Sequence, residues 1–100
     1  MSKFSELVNG DSPVLVDVFA DWCAPCKINS PLLKEIKTEF SSQLKIIKID
    51  IDNNKQIAEK FQIKGVPTML LFKKGELVWR HSGLCEKNKL LLLIKENLAE

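Results

Sequence analysis

Apolar positions along the chain change their spacing several times, and each change marks an element. Phe4, Leu7 and Val8 stand at helical spacing and run into the turn-forming cluster Asn9-Gly10-Asp11-Ser12-Pro13, which predicts a short helix and then a break. Val14, Leu15, Val16, Val18 and Phe19 form an apolar run interrupted only by Asp17. Such a run predicts a strand covered on both faces, as in a largely parallel sheet. From about Cys23 to Phe40, Leu32, Leu33, Ile36 and Phe40 recur on one side. That predicts a helix, with a kink at Pro31, whose ring removes one hydrogen bond and crowds the preceding turn.

Ser41-Ser42-Gln43 ends this helix, after which Ile47, Ile49 and Ile51 alternate with Lys48, Asp50 and Asp52. This is the pattern of a strand with one wetter side. Asn53 or Asn54 is placed to cap a short helix carrying Ile57, Ala58 and Phe61, and Lys64-Gly65-Val66-Pro67 stops it. A third strand begins at about Thr68 and runs through Met69, Leu70, Leu71 and Phe72. Lys73-Lys74-Gly75-Glu76 then turns the chain into a returning strand from Leu77 to Ser82, closed by Gly83. From Glu86 to Leu98 a last helix sets Leu90, Leu91, Ile94 and Leu98 on its core face, with Leu92 and Leu93 nearer the edge. The order is helix, strand, helix, strand, helix, strand, strand, helix. It predicts an α/β domain whose first two strands are parallel and whose hairpin supplies the antiparallel half of a mixed sheet.

Composition narrows the field. One hundred residues, 45 % of them hydrophobic, can build one core without a disulfide framework, so residues 1–100 are read as a single domain. The 15 basic and 13 acidic residues leave a net charge of +2 and are interspersed, as in Lys34, Glu35, Lys37 and Glu39. No basic stripe exists to grip a phosphate backbone, so nucleic acid is not an expected partner. The longest aliphatic run, Leu90 to Ile94, is far short of the roughly 20 apolar residues that span a bilayer, so no membrane association is expected. Phe4 is followed at once by Ser5 and Glu6, with no apolar leader segment, and the expected location is the cytoplasm. The expected oligomeric state is a monomer.

Three cysteines, Cys23, Cys26 and Cys85, are an odd number, which argues against a chain whose thiols all serve structural bridges. Trp22-Cys23-Ala24-Pro25-Cys26-Lys27 places two thiols three residues apart where a buried strand feeds a helix. That spacing closes a small disulfide ring and opens it again. Cys23 falls at the helix N-terminus, where free N–H groups and the helix dipole favour a thiolate, the attacking species. Cys26, one turn further in and less exposed, suits attack on a mixed disulfide at Cys23. Pro25 fits the first helical positions and stiffens the ring. Asp17, a carboxylate in an apolar strand, is desolvated and pushed up towards the range useful for acid–base work. Cys85 is read as the N-cap of the last helix, a place that lowers a thiol pKa, although its plainest role is that of an inert, half-buried cysteine. His81 and Cys85, with Cys23 and Cys26, could also furnish a Cys3His zinc site. The apolar core makes a structural zinc unnecessary, so no metal is expected.

These motifs together resemble the thioredoxin family from about Val14 to the C-terminus. The resemblance runs through Val16-Asp17-Val18-Phe19-Ala20-Asp21-Trp22-Cys23-Ala24-Pro25-Cys26-Lys27, Lys64-Gly65-Val66-Pro67-Thr68, Leu71-Phe72-Lys73-Lys74-Gly75 and Gly83. It implies a thioredoxin fold and a protein-disulfide reductase working through a mixed disulfide at Cys23. Cys23 matches the family's nucleophile, Cys26 its resolving thiol, Asp17 its buried proton-relay carboxylate and Lys48 a lysine near that carboxylate. Trp22 matches the aromatic residue flanking the site. Pro67 matches a cis-proline facing the disulfide, Val66 the residue whose backbone bonds an extended substrate, and Gly83 a glycine leaving room for substrate backbone. Disulfide-containing proteins are the implied substrates. A thioredoxin reductase drawing on NADPH is the implied partner, and no cofactor is bound beyond the redox-active disulfide itself.

Two departures qualify the resemblance. Ala24 stands where the most frequent family motif has glycine, and the dipeptide inside the ring tunes reduction potential. Redox direction therefore stays open between a reductase and an oxidase or isomerase. Only 13 residues precede the first buried strand, too few for both the family's usual first strand and first helix, so four strands are expected in place of five.

Overall fold

The structure, a computed structural model, describes residues 2–98. Met1 and residues 99–100, the ends of the expected domain, lie outside the described residues. The elements are α1 (Ser2–Val8), β1 (Val14–Phe19), α2 (Ala24–Phe40), β2 (Lys45–Asp50), α3 (Lys55–Lys60), β3 (Thr68–Lys73), β4 (Glu76–Ser82) and α4 (Lys87–Glu96). Single 3-10 turns at Ser41–Gln43 and Ile51–Asn53 flank β2. One four-stranded sheet has the order β2-β1-β3-β4. β1 runs parallel to β2 and antiparallel to β3, which in turn pairs antiparallel with β4. Among the described residues no strand precedes β1, in agreement with the four-stranded expectation.

Sheet geometry follows from which strands are covered. β1 and β3 lie at the centre and are buried along almost their whole length, which is why their sequences read as apolar runs. β2 and β4 form the edges and are half-buried or exposed. Successive side chains of β1 alternate between two cores. Val14, Val16 and Val18 pack with Phe4, Val8, Ile57, Ile63, Leu70 and Phe72 beneath α1 and α3. Leu15 packs with Leu33, Ile36, Phe40, Met69, Leu71, Leu90 and Ile94 beneath α2 and α4. Ile36, Leu90 and Ile94 are fully buried, each contributing about 1.5–3 kcal/mol relative to an exposed position. Asp17 shares the parity of Leu15 and so faces the α2 side of the sheet.

Several local expectations shift by a residue or two. Ile51 leaves the strand pattern for a 3-10 turn. Asn54 occupies the N-cap of α3, but its side chain does not cap; Nδ2 donates instead to Asp50 O at 2.8 Å. The helix α2 holds the expected Pro31 within its span; the ring forfeits one backbone bond while the buried face on either side still packs. α4 is shorter than the expected 86–98, ending where Asn97 Nδ2 bonds Leu93 O at 2.9 Å. The β3–β4 hairpin turns on Lys74 and Gly75, both with positive φ (54° and 83°). That is the two-residue turn whose twist matches the strands. Val78 is the extra residue of a bulge, since Leu71 opposes Trp79 while Phe72 opposes Leu77.

Candidate functional site

The carboxyl end of β1 and the start of α2 bring the reactive residues together. Cys23 is the N-cap of α2, its N–H bonded to Ala20 O at 3.2 Å. Ala24 and Pro25 are the first two helical residues and Cys26 is the third. Cys23 and Cys26 form a disulfide with a Cα–Cα distance of 5.3 Å. Cys23 Sγ accepts the Cys26 N–H at 3.1 Å. A free helix-terminal N–H aimed at one sulfur lowers the cost of charge on that sulfur alone. The expectation that Cys26 is the less exposed thiol is not met: in the disulfide the two residues are 6 % and 3 % exposed, with Cys23 the lower. Helix position, and not exposure, distinguishes them. Both pack with Ala20 into a small apolar cluster against Phe19, Ile51 and Val66.

Beneath the disulfide, Asp17 is 1 % exposed. Its Oδ1 has no hydrogen-bond partner. Burial pushes its carboxyl above the ordinary aspartate value, and the positive charge of Lys48 offsets this only in part. Lys48 is the β2 residue opposite Asp17 in the parallel register, with its ammonium 5.4 Å from the centre of the Phe19 ring. A cavity of about 160 Å³ is lined by Asp17, Lys48, Cys26, Ser30 and the Phe19–Asp21 segment. It joins the carboxylate to the second cysteine and has room for water, the medium in which a proton can pass between them. Ser30 is a member of this set that the helix periodicity did not single out.

The rim of the site is assembled from three loops. Trp22 is 71 % exposed, and its indole Nε1 donates to Asp52 Oδ2 at 2.9 Å. Asp52 is itself fixed by a 2.9 Å bond from its N–H to Asp50 Oδ1. Asp52 was legible only as a polar position after an alternating strand; its role depends on a contact across 30 residues. Trp22, Ile51, Asp52, Ala58 and Val66 line an open cleft of about 400 Å³. The Val66–Pro67 peptide is cis. Val66 touches the cysteine cluster and Pro67 is buried. Gly83, at a φ of 95°, donates its N–H to Pro67 O at 2.8 Å. The structure thus brings Trp22, Cys23, Cys26, Val66, Pro67 and Gly83 to one end of the sheet, with Asp17 and Lys48 below them.

Cys85 departs from its expected setting. The N-cap of α4 is Glu86, and Cys85 lies one residue earlier, free, half-buried and packed against the α2–α4 core. Burial raises its thiol pKa, with Lys89 opposing and Glu86 adding to the rise. The expected lowering is therefore reversed, because apolar surroundings act on the thiol and no helix N–H does. The Cys3His set is not assembled: Cys23 and Cys26 are bonded to each other, and His81 Nε2 lies 2.8 Å from Leu84 O. Among the described residues no group of three or more His, Cys, Asp or Glu is placed to hold a metal ion.

Comparison with known proteins agrees with this geometry. Residues 1–96 match the Thioredoxin family. A thioredoxin of Rickettsia bellii is 41 % identical over 93 residues, covering 93 % of this chain and 89 % of that protein. A bifunctional thioredoxin reductase/thioredoxin of Mycobacterium leprae is 43 % identical over 90 residues, which are 90 % of this chain and 20 % of that protein. Among solved structures, a mutant thioredoxin from Halobacterium salinarum superposes with a TM-score of 0.89 at 30 % identity, covering 100 % of this chain and 87 % of that one.

Proposed function

Since the chain belongs to the thioredoxin family and is a thiol–disulfide oxidoreductase that reduces protein disulfides, we propose the following division of labour among its residues. Reduced Cys23, as thiolate, attacks one sulfur of a substrate disulfide. A Cys23–substrate S–S bond forms, the substrate S–S bond breaks, and the other substrate sulfur departs as thiolate. Cys26 then loses its proton to the Asp17 carboxylate through the cavity they share and attacks Cys23 Sγ. The mixed disulfide breaks, the second substrate thiol is released, and the Cys23–Cys26 pair carries the oxidising equivalents. Two electrons have moved to the substrate, and no bound cofactor takes part.

The observation that carries this assignment is the bond from Cys26 N–H to Cys23 Sγ at the N-terminus of α2, with Asp17 and Cys26 lining one cavity. It sets one sulfur up as nucleophile and supplies the other with a base. Lys48 holds the carboxylate's pKa within reach by its charge. Trp22, Val66, Pro67 and Gly83 form the surface that receives an extended substrate segment. Reduction of insulin disulfides by dithiothreitol-driven protein tests the assignment. Cys23→Ser is expected to abolish the accelerated rate; a rate unchanged by that substitution would falsify the reading.

Recycling of the disulfide belongs to the same proposal. The Mycobacterium leprae relative joins a thioredoxin reductase and a thioredoxin in one protein, which supports a separate NADPH-dependent reductase as the electron donor here. The protein is then a step in electron transport from nicotinamide to protein disulfides, in a cytoplasmic setting where thiols are kept reduced. Its reduction potential against glutathione separates this direction from an oxidase or isomerase, because a reductant must lie well below the glutathione couple.

A further inference from the structure

The hairpin strand β4 carries a device that the redox chemistry leaves unused. The Trp79 and His81 rings lie stacked, 5.8 Å between centroids and 6° from parallel. Trp79 packs against the α2–α4 core, so the imidazole rests on a fixed platform. Its Nε2 lies 2.8 Å from Leu84 O. A carbonyl only accepts, so the ring donates Nε2–H, which the imidazolium and one neutral tautomer both carry.

This bond falls at the corner where β4 ends. One residue before Leu84, Gly83 takes a φ of 95° and donates its N–H to Pro67 O at 2.8 Å. The corner is thus pinned twice, to the cis-proline loop by Gly83 N–H and to β4 by Leu84 C=O. Between these pins the Leu84 side chain stands 53 % exposed, an apolar group next in sequence to the glycine bonded to the cis-proline loop. Gly83 belongs to the surface assigned to the substrate, so the side chain that follows it borders what binds there, and covering a leucine contributes up to about 1.5–3 kcal/mol.

We propose that His81 is a positioning residue for substrate recognition: stacked on Trp79, it holds the Gly83–Leu84 corner so that Leu84 contacts the backbone-flanking apolar side chains of a protein disulfide substrate. The inference deepens the reading of the Pro67–Gly83 surface as the place where substrates bind. Rigid presentation matters because a corner free to sample other conformations loses affinity in proportion to the time spent in them. Small disulfides, which present no flanking chain, do not reach Leu84.

Two variants separate the parts of the device. His81→Phe keeps an aromatic ring for Trp79 and removes the donor; His81→Gln keeps a donor and removes the ring. With dithiothreitol as reductant, His81→Phe is expected to raise the insulin KM about five-fold with kcat within about two-fold, the loss corresponding to one hydrogen bond. Its rate with the small aromatic disulfide dithiobis(nitrobenzoate) stays within about two-fold of the parent, and His81→Gln recovers at least half of the lost affinity. Leu84→Ala raises the insulin KM similarly, and adding it to His81→Phe causes little further rise, since the two act as one unit. An unchanged insulin KM in His81→Phe overturns the inference. So does an equal loss on both disulfides, or full additivity with Leu84→Ala. If Cys23→Ser still reduces insulin, it is the underlying functional reading that fails, whatever His81 does.

Discussion

The indole Nε1 of Trp22 is bound to the Asp52 carboxylate at 2.9 Å, tying the residue before the nucleophile to the turn that follows β2. Trp22 is otherwise largely exposed, so this bond does most to set the ring's direction. Asp52→Ala is expected to release it. Time-resolved fluorescence of Trp22, read in a Trp79→Phe background, should show faster ring motion, and insulin reduction should fall several-fold, as for the loss of a hydrogen bond to a charged group. Asp52→Asn retains an acceptor and should lose less.

Cys23 and Cys26 have separable fates. Cys26→Ser leaves Cys23 its helix terminus but removes the resolving thiol, so the first attack proceeds and the second does not. Mass spectrometry should find one substrate chain held covalently per protein, releasable by dithiothreitol. Cys23→Ser should trap none.

Asp17 destabilises the fold when charged. Its folded-state pKa lies above the ordinary value, so the folded protein binds this proton more tightly than the unfolded chain. The contribution is fully present below the unfolded value of 3.8 and is lost as pH rises through the raised folded pKa. Asp17→Asn removes the titration. Denaturant midpoints at neutral pH should be higher than in the parent, and the difference should shrink towards pH 4. The same variant should slow release of the mixed disulfide, because Cys26 has lost its base.

Gly75 is required twice over. It holds a φ of 83°, and an added Cβ would stand 3.0 Å from Asn9 Oδ1. Gly75→Ala is expected to cost about 1–2 kcal/mol, chiefly from the left-handed backbone. For a domain of this size each kcal/mol lowers Tm by roughly 4–8 °C. Asn9→Ala in addition should restore only a minor part, since that contact is with a side chain able to turn away.

Cys85 should be the slow thiol. Burial raises its pKa, so in the reduced protein limiting iodoacetamide at pH 7 is expected to modify Cys23 well before Cys85. Peptide mapping by mass spectrometry reads the order. Preferential labelling of Cys85 would contradict the half-buried setting.

Much of this was legible in the residues. The apolar runs Val14–Phe19 and Met69–Phe72 lie in the two central strands, and they read so plainly because a strand covered on both sides has little place for a charged residue except at a site. Asp17 was conspicuous for that reason. The cysteine pair announced its own chemistry, since thiols three residues apart at a helix start meet in whatever fold contains them. By contrast, nothing near Asp52 marks it as the partner of Trp22, and nothing near Ser30 marks its place beside Asp17 and Cys26. His81 shows no sign in its neighbourhood that it reaches Leu84. Cys85 departs from its expected place because one residue of helix register decides between a helix terminus and an apolar wall.

The division has a physical basis. Hydrophobic burial is a demand that each residue makes alone, and its repetition along the chain prints the period of the element and the face that is covered. Element order, strand placement and the local disulfide ring follow from that periodicity and from neighbours in sequence. Directional polar contacts are different. Trp22 with Asp52 and His81 with Leu84 depend on where loops and strand ends arrive once the sheet is built, to within a few tenths of an ångström, and Asp17 comes to share a cavity with Lys48 and Cys26 by the same assembly. Only the assembled β2-β1-β3-β4 sheet brings those groups within reach, and with them the electrostatics that set Asp17 apart from an ordinary aspartate.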